Sequence, residues 1–368
     1  MIKVLGAFPV AEWANGGISS WSRKFVKTFP NDEFELIVIN TAPRRLVVES
    51  GKFRRIITGL SAMCSVLKQA YQILRTKQVA IMHTTTSGSL GTLRDYMLAK
   101  LCRCYGVKTI MHCRYGCIAE DYASNGILGR LLRRTMALYD QIWVLDKRSQ
   151  AALNNQKHLV GKVFLTPNSL EVPTTCDFTP KTYEHVGFIG NLVPEKGILE
   201  LVEAVVQLKP STHLDIVGPA LDETMQTIKD LAQDCYGDTI VKHDKMNNND
   251  AVRFMKGLDI VALPTYYPSE AFPISILEAM SLGKLVISTP RAAIPDMLTT
   301  EDGDLCGILV KEKSVADIVS AIQWCQQNPR SADELCRKAY DKVYRCYRTE
   351  VIYELYRTLY RKLLSDRQ

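Results

Sequence analysis

The sequence has no uninterrupted apolar run of the ~18 residues that a membrane-spanning helix needs, so no span is expected. Its opening, Met1-Ile-Lys-Val-Leu-Gly-Ala-Phe8, is too short and too soon interrupted for a secretion signal and reads as a buried first strand. There is no C-x2-C pair. The eleven cysteines are odd in number and scattered, which argues against a disulfide framework and for a reducing cytoplasm. Cys102, Cys104, Cys113 and Cys117 with His112 lack zinc spacing, and Cys102 and Cys104 lie on a helical pattern that points them different ways, so no metal site is expected. A G-x-G-x-x-G turn is missing, which sets aside a nicotinamide oxidoreductase. No short-period repeat is present, and the only low-complexity stretch is Asn247-Asn-Asn-Asp250. No nucleic-acid-binding module or aromatic-interleaved basic motif appears, so nucleic acid is not an expected partner.

What is present is an ordinary globular composition, 46% hydrophobic and 23% charged, over 368 residues, a length that one core rarely serves. Two domains are therefore the expectation. Charge is uneven: residues 1–180 sum to +12 and residues 181–368 to −5. A basic first half calls for an anionic partner. Arg44, Arg45, Lys52, Arg54, Arg55, Lys68, Arg75 and Lys77 stand among apolar residues, a pattern that suits a peripheral position on an anionic membrane face.

Short apolar runs alternate with amphipathic stretches along the whole chain. Strands are expected near 2–8, 35–40, 79–83, 108–112, 141–145 and 162–166, then again near 185–190, 213–217, 239–242, 259–263, 285–288 and 307–310. Helices are expected at 19–28, 60–76, 92–105 and 128–138. This is the βαβ pattern of parallel, doubly wound sheets, given twice. The polar, proline-marked segment 171–183 reads as a linker. The expected division is 1–173, 174–343, and a last helical segment 344–368 that returns to the first domain. Ligands of such sheets bind at the carboxyl ends of the strands.

The most informative stretch is Ser269-Glu-Ala-Phe-Pro-Ile-Ser-Ile-Leu-Glu-Ala-Met280, between the apolar runs 258–264 and 284–288. It should pass from a strand's carboxyl end through a loop into a helix. Pro273 fits the first helical turn, where its missing N–H costs nothing. The amides of Ile274, Ser275 and Ile276 would then be free for an anion. Glu270 precedes the helix and Glu278 lies inside it, and carboxylates accept hydrogen bonds from sugar hydroxyls. A sugar at each end with phosphate between them describes a nucleotide sugar.

Three other stretches carry chemistry. Gly187-Phe-Ile-Gly-Asn-Leu-Val-Pro-Glu-Lys-Gly197 is a strand, a glycine turn at Gly190 and a helix start, with Lys196 as a point charge for phosphate. Gly16 and Gly17 follow the first strand and allow close approach to backbone N–H groups. His112 ends the strand at 108–112 and can accept or donate a hydrogen bond at neutral pH.

Taken together, and in order over about residues 2–310, these stretches resemble the retaining glycosyltransferases of the family 4 type (glycosyl transferases group 1), which have the GT-B fold of two Rossmann-like domains facing across a cleft. Leu214-Asp-Ile-Val-Gly218, Ile294-Pro-Asp296, Gly303 and Gly307 extend the likeness. The resemblance implies that Glu270 holds the transferred sugar, Glu278 the ribose, and the loop backbone of Phe272, Pro273, Ile274 and Ser275 the diphosphate, gripped also by Lys196. Gly16, Gly17, Gly190 and Asn191 would line the donor, and His112 would approach the transferred sugar from the first domain. It implies no metal, and a D-x-D element is not evident. Two departures stand out. Asn191 occupies the place of the family's arginine, which leaves Arg114 or Arg291 to replace that charge. Ala292 and Ala293 replace a usual glycine pair.

The resulting expectation is a retaining transferase moving a sugar from a UDP or GDP sugar to a saccharide or lipid-linked acceptor, in surface polysaccharide or glycolipid synthesis. Two rivals stay open: a nucleotide-sugar hydrolase or epimerase on the same fold, and a non-catalytic GT-B partner subunit, for which Asn191 and the alanine pair speak.

Overall fold

The computed structural model describes the chain apart from residues 15, 30–31, 43–51, 89–90, 177 and 366–368 and the side chains of 52–57. It separates into two compact units, Met1–Thr166 with Tyr353–Gln368, and Pro167–Ile352.

The first unit is built on a parallel sheet of β1 (Ile2–Phe8), β2 (Phe34–Asn40), β3 (Val79–Thr86), β4 (Lys108–Cys113), β5 (Gln141–Val144) and β6 (Val163–Leu165), in the order β2-β1-β3-β4-β5-β6. Strands of such a sheet are covered on both faces, which is why they read as continuous apolar runs. Leu5, Ala7, Ile39 and Met82 pack on Val66, Ala70 and Leu74 of the helix Lys52–Thr76 and on Leu98 and Cys102 of the helix Gly91–Cys104. Chain direction along the sheet reverses between β1 and β3, so the loops after these two strands flank the unit's topological switch point.

The helix Thr349–Ser365 ends the described chain, and from Tyr353 onward it belongs to this unit. Tyr356 and Tyr360 stack on Trp143 of β5 at ring-centroid distances of 4.9 and 5.6 Å. Arg357 and Arg361 pair with Asp32 and Glu33. A large aromatic surface rather than those exposed ion pairs holds the helix, because solvent screens the latter.

The second unit repeats the plan with β7 (His185–Ile189), β8 (His213–Val217), β9 (Ile240–His243), β10 (Ile260–Leu263), β11 (Leu285–Ser288) and β12 (Ile308–Leu309), all parallel, in the order β12-β11-β10-β7-β8-β9. Its switch point lies between β7 and β10.

The segment read as a linker and Leu170 just before it are tied into the second unit: Leu170 N–H donates to the Tyr347 carbonyl at 2.9 Å, and Tyr340 Oη donates to the Pro173 carbonyl at 2.6 Å. Thr349 N–H returns a bond to the Leu170 carbonyl at 3.0 Å. The units therefore divide at 166/167 and 352/353 rather than at 173/174 and 343/344. Proline and polarity mark an irregular path in sequence, but backbone hydrogen bonding decides to which unit it belongs.

Candidate functional site

In the second unit, the loops that leave β7 and β10 meet at the switch point. Gly197 adopts φ +78°, and a Cβ there would lie 2.1 Å from the Pro264 carbonyl oxygen, so only glycine lets the first loop press against the end of β10. Tyr266 N–H then donates to the Glu195 carbonyl at 2.7 Å. This join carries Lys196 to Glu270: Nζ stands 3.3 Å from Oε2, with the side chains only 21% and 10% exposed. Thr265 Oγ1 lies 3.5 Å from the same carboxylate oxygen and 3.4 Å from the Glu195 carbonyl. The Tyr267 ring is 6.0 Å from Lys196 Nζ. A cation, a carboxylate, a hydroxyl and an exposed phenol ring thus share one place, although Lys196 and Glu270 are far apart in sequence.

Gly190 and Gly218 show a second close approach, between β7 and β8. Their φ values are +158° and +141°, and a Cβ on Gly218 would fall 1.8 Å from the Gly190 carbonyl oxygen. Gly190 N–H donates to the Val217 carbonyl at 3.0 Å. The tight turn leaves Asn191 exposed at the carboxyl edge of the sheet.

The helix Ile274–Ser281 follows the Glu270 loop. Pro273 was expected within its first turn. It is instead the residue before it, with φ −66° and ψ 121°, because its own position is extended and the helix opens at Ile274. No side chain caps this end and no acidic residue sits in the first turn, so the amides of Ile274 and Ser275 keep the partial positive charge of a helix start. Phe272 is pinned from two sides: Asn168 Nδ2 donates to its carbonyl at 2.8 Å and Tyr347 packs edge-on at 5.4 Å. Glu278 lies within the helix and is 4% exposed. Arg291, on the loop after β11, donates to the Tyr266 carbonyl at 3.2 Å and pairs with Glu312 at 3.1 Å. Its neighbour Ala292 takes φ +46°, a left-handed conformation that costs an L-residue ~1–2 kcal/mol. The alanine pair thus keeps a glycine-like backbone: Ala293 N–H still reaches the Ala271 carbonyl at 3.1 Å.

In the first unit, Gly16 (φ +109°) and Gly17 open the helix Gly17–Thr28, and a Cβ on either would meet nothing within 4 Å. His112 is fully buried at the end of β4. Its Nε2 stands 3.0 Å from Arg114 Nη1, and its Nδ1 stands 3.3 Å from His83 Nε2. His83 Nδ1 lies 2.7 Å from Tyr360 Oη. A guanidinium only donates, so His112 Nε2 accepts and its proton sits on Nδ1; His83 Nε2 then accepts, and His83 Nδ1–H donates to the tyrosine. Desolvation, with Arg114 adding repulsion, holds His83 down at about 3 and His112 well below its ordinary value. Burial also lowers Arg114 to about 9. The guanidinium lies 3.8 Å from the Trp21 ring centre. Both ring nitrogens of His112 are thus engaged inside the first unit.

Sequence reading did not single out Thr265, Tyr267, Asn168 or His83's link to Tyr360. Thr265 and Tyr267 follow the end of β10 and are legible from position alone. Asn168 and Tyr360 act from distant parts of the chain and carry no local signal. Arg44 and Arg45, and the side chains of Lys52, Arg54 and Arg55, lie outside the described residues, while Lys68, Arg75 and Lys77 are exposed. Among the described residues no group of three His, Cys, Asp or Glu side chains could hold a metal ion, and no helix is long and apolar enough to cross a membrane.

Residues 178–342 match the family described as glycosyl transferases group 1. A Bacillus subtilis protein named as a teichuronic acid biosynthesis glycosyltransferase, TuaC, is 28% identical over 152 residues, which cover 40% of this chain and 35% of that one. The N,N'-diacetylbacillosaminyl-diphospho-undecaprenol alpha-1,3-N-acetylgalactosaminyltransferase of Campylobacter jejuni is 25% identical over 179 residues, 48% of this chain and 44% of that protein. The matches thus span less than half the length of either curated relative. Among solved structures, sucrose-phosphate synthase from Thermosynechococcus elongatus superposes with a TM-score of 0.77 at 16% identity over 100% of both chains. Anabaena HepE in complex with UDP superposes with a TM-score of 0.73 at 15% identity, covering 98% of this chain and 100% of that one. The architecture is therefore GT-B: two Rossmann-like parallel-sheet domains.

Proposed function

We propose that this chain, which carries a glycosyl transferases group 1 domain over residues 178–342, moves a sugar from a nucleoside diphosphate sugar to a hydroxyl of an acceptor, with retention at the anomeric carbon. The observation that carries the reading is the meeting of Lys196 and Glu270 at 3.3 Å where the β7 and β10 loops join. Doubly wound sheets bind nucleotides at this place.

The chemistry follows from charge. Cleavage of the bond between the sugar's anomeric carbon and the diphosphate leaves the electron pair on the diphosphate and positive character on the ring. Lys196 and the helix-start amides of Ile274 and Ser275 stabilise the leaving diphosphate. Glu270 accepts hydrogen bonds from the sugar's hydroxyls, and Glu278 from the ribose. Of the two candidates for the charge missing at Asn191, Arg291 is favoured because the Tyr266 carbonyl ties its guanidinium to the Glu270 loop. Arg114 is committed to His112 and Trp21 in the first unit. His112, engaged at both nitrogens, is assigned a positioning part through Arg114 rather than contact with the sugar.

UDP or GDP sugars are the proposed donors, without a metal cofactor. The acceptor is a saccharide or a lipid-linked saccharide, since the Campylobacter relative is named for a diphospho-undecaprenol acceptor. The setting is surface polysaccharide or glycolipid synthesis, on the cytoplasmic side, with the basic first unit toward an anionic membrane face.

A thermal-shift panel of UDP, GDP, ADP and CDP sugars tests this. One donor class should raise the melting temperature of the wild type, and Lys196→Met should reduce the shift. Incubation of that donor with cell-envelope glycolipid should release nucleotide with sugar appearing on the lipid fraction, at a rate at least ~100-fold lower in Glu270→Gln. A flat panel would refute donor binding. Release of free sugar alone, with none transferred, would favour a hydrolase. A donor-induced shift without turnover would favour a binding partner subunit.

A further inference from the structure

Three helices of the first unit share one face of its sheet. The chain passes from β2 to β3, from β3 to β4 and from β4 to β5 in the same direction along the sheet, and right-handed crossovers then put the helices Lys52–Thr76, Gly91–Cys104 and Ile127–Met136 side by side. The middle helix packs against both of the others. Leu98, Ala99 and Cys102 are its inward side, and Met97, Lys100 and Arg103 stand exposed on its outward side.

Two features set this outer surface apart. The three helices expose no carboxylate among the described residues. From residue 50 to residue 119 the sequence holds eleven lysines and arginines and one acid, Asp95, which is fully buried against Arg94. The helix Ile127–Met136 holds three arginines and no acid. The surface also keeps large apolar side chains in water. Of the thirteen exposed among the described residues, six are here: Leu60, Tyr71, Met97, Tyr105, Ile127 and Leu128. Ile127 is 78% exposed on a helix start that is fixed in place, since a Cβ on Gly129 would fall 2.2 Å from the Ser124 carbonyl oxygen and Arg133 donates to that same oxygen at 2.8 Å. Single apolar side chains in water are ordinary, but a group of them among charges of one sign marks an interaction face.

Where the first two helices end, they border a cavity of about 470 Å³ lined by Arg75, Lys77 and Tyr105 among others. The Tyr71 and Tyr105 rings stand 6.4 Å apart, edge to face. Carbonyls at both helix ends are bonded within the fold: Lys77 N–H donates to the Ile73 carbonyl at 2.8 Å, and the Tyr105 and Val107 N–H groups to the Cys102 carbonyl at 3.0 Å. The partial negative charge of the helix ends is thus met locally. Arg75 and Lys77 form no ion pair with another described residue, and they give the cavity a positive sign.

We infer that this face docks on a bilayer of anionic phospholipid, with a lipid phosphate seated in the cavity, an inference that rests on the membrane placement proposed above and names the surface that makes it. The cations attract the phosphates. Ile127, Leu128 and Met97 enter the layer just beneath, and the two tyrosines suit its polar boundary. A second copy of this chain would set like charge against like charge. A nucleic acid duplex offers phosphates but no apolar layer for Ile127 and Leu128.

The test uses the full-length protein and sedimentation with vesicles of phosphatidylcholine alone or mixed with phosphatidylglycerol. Four paired variants are compared with the wild type. They are Arg75→Gln with Lys77→Gln at the cavity, Lys100→Gln with Arg103→Gln beside it, Ile127→Ser with Leu128→Ser, and Lys24→Gln with Lys27→Gln on the helix Gly17–Thr28, which covers the other face of the sheet. We expect binding to the mixed vesicles only, weakened ~tenfold or more by the cavity pair and by the apolar pair, less by the Lys100 and Arg103 pair, and unchanged by the last. Equal binding in the wild type and the first three pairs would overturn this face and leave the membrane placement to another surface. Equal losses in the cavity pair and the Lys100 and Arg103 pair would remove the phosphate seat. No binding to either vesicle would remove the placement together with the inference, while the donor thermal shift still decides the transferase reading. Tighter binding to duplex DNA than to vesicles, unchanged in the apolar pair, would assign the face to nucleic acid instead.

Discussion

The buried histidine chain makes the first unit acid-sensitive by a calculable amount. In the folded chain His83 stays neutral down to about pH 3, because burial and the Arg114 charge oppose a proton on its ring. An unfolded histidine titrates near 6.5. Above that value the two states bind the same number of protons and His83 has no effect on stability. Below it the unfolded state gains a proton that the folded state refuses, so stability falls as pH falls, until the folded pKa is reached. At pH 5 the unfolded ring is ~1.5 units below its pKa, which corresponds to about 2 kcal/mol lost relative to pH 7.5. His112 is shifted in the same direction for the same causes and adds to the loss. Other groups titrate in this range too, so the informative quantity is a difference between proteins. Urea unfolding of the wild type and of His83→Gln is compared at pH 7.5 and pH 5.0, following tryptophan emission, since Trp21 and Trp143 pack around both rings. Glutamine keeps a donor and an acceptor without a titrating proton. The wild type should lose about 2 kcal/mol more than the variant between the two pH values, near 1 M in urea midpoint for a slope of ~2 kcal/mol/M. Identical pH dependence in the two proteins would refute the buried, neutral assignment.

Tyr360→Phe leaves the His83 Nδ1–H without its acceptor and should destabilise the first unit by about 1–3 kcal/mol in the same assay; a change below ~0.5 kcal/mol would mean water replaces the hydroxyl. Gly218→Ala sets a methyl group 1.8 Å from the Gly190 carbonyl oxygen in a left-handed conformation, and should cost at least ~2 kcal/mol and displace the Asn191 turn; a fully stable variant would contradict the close approach. Asn191→Arg adds a cation at the carboxyl edge of the second sheet and should tighten binding of the donor's nucleoside diphosphate by calorimetry several-fold, whereas Arg291→Ala should weaken it; the opposite order would refute the assignment of Arg291 to the diphosphate. The protein should sediment with vesicles rich in anionic lipid and be released by ~0.5 M salt; binding indifferent to lipid charge and to salt would exclude an electrostatic membrane face.

The Lys196–Glu270 contact sets one condition on the proposed donor binding. In that proposal a diphosphate seated at Lys196 would compete with the carboxylate for the same ammonium group, and Glu270 would be freed for the sugar's hydroxyls as Lys196 turned to phosphate.

Local pattern alone located every strand of the two sheets to within a few residues, because parallel strands buried on both faces leave continuous apolar runs that helical periodicity does not imitate. The glycine at 197 and the residues at 270 and 278 were equally legible, since close backbone approach and a loop-to-helix passage leave marks in neighbouring residues. Tertiary structure alone decided the strand order, and with it which loops adjoin. Lys196 meets Glu270 because β7 and β10 pair across the switch point, a choice made by packing between segments far apart in the chain. The burial of His112 was decided in the same way. Arg114, Trp21 and Tyr356 close around this strand-end histidine, and burial is a property of neighbours that no local pattern records.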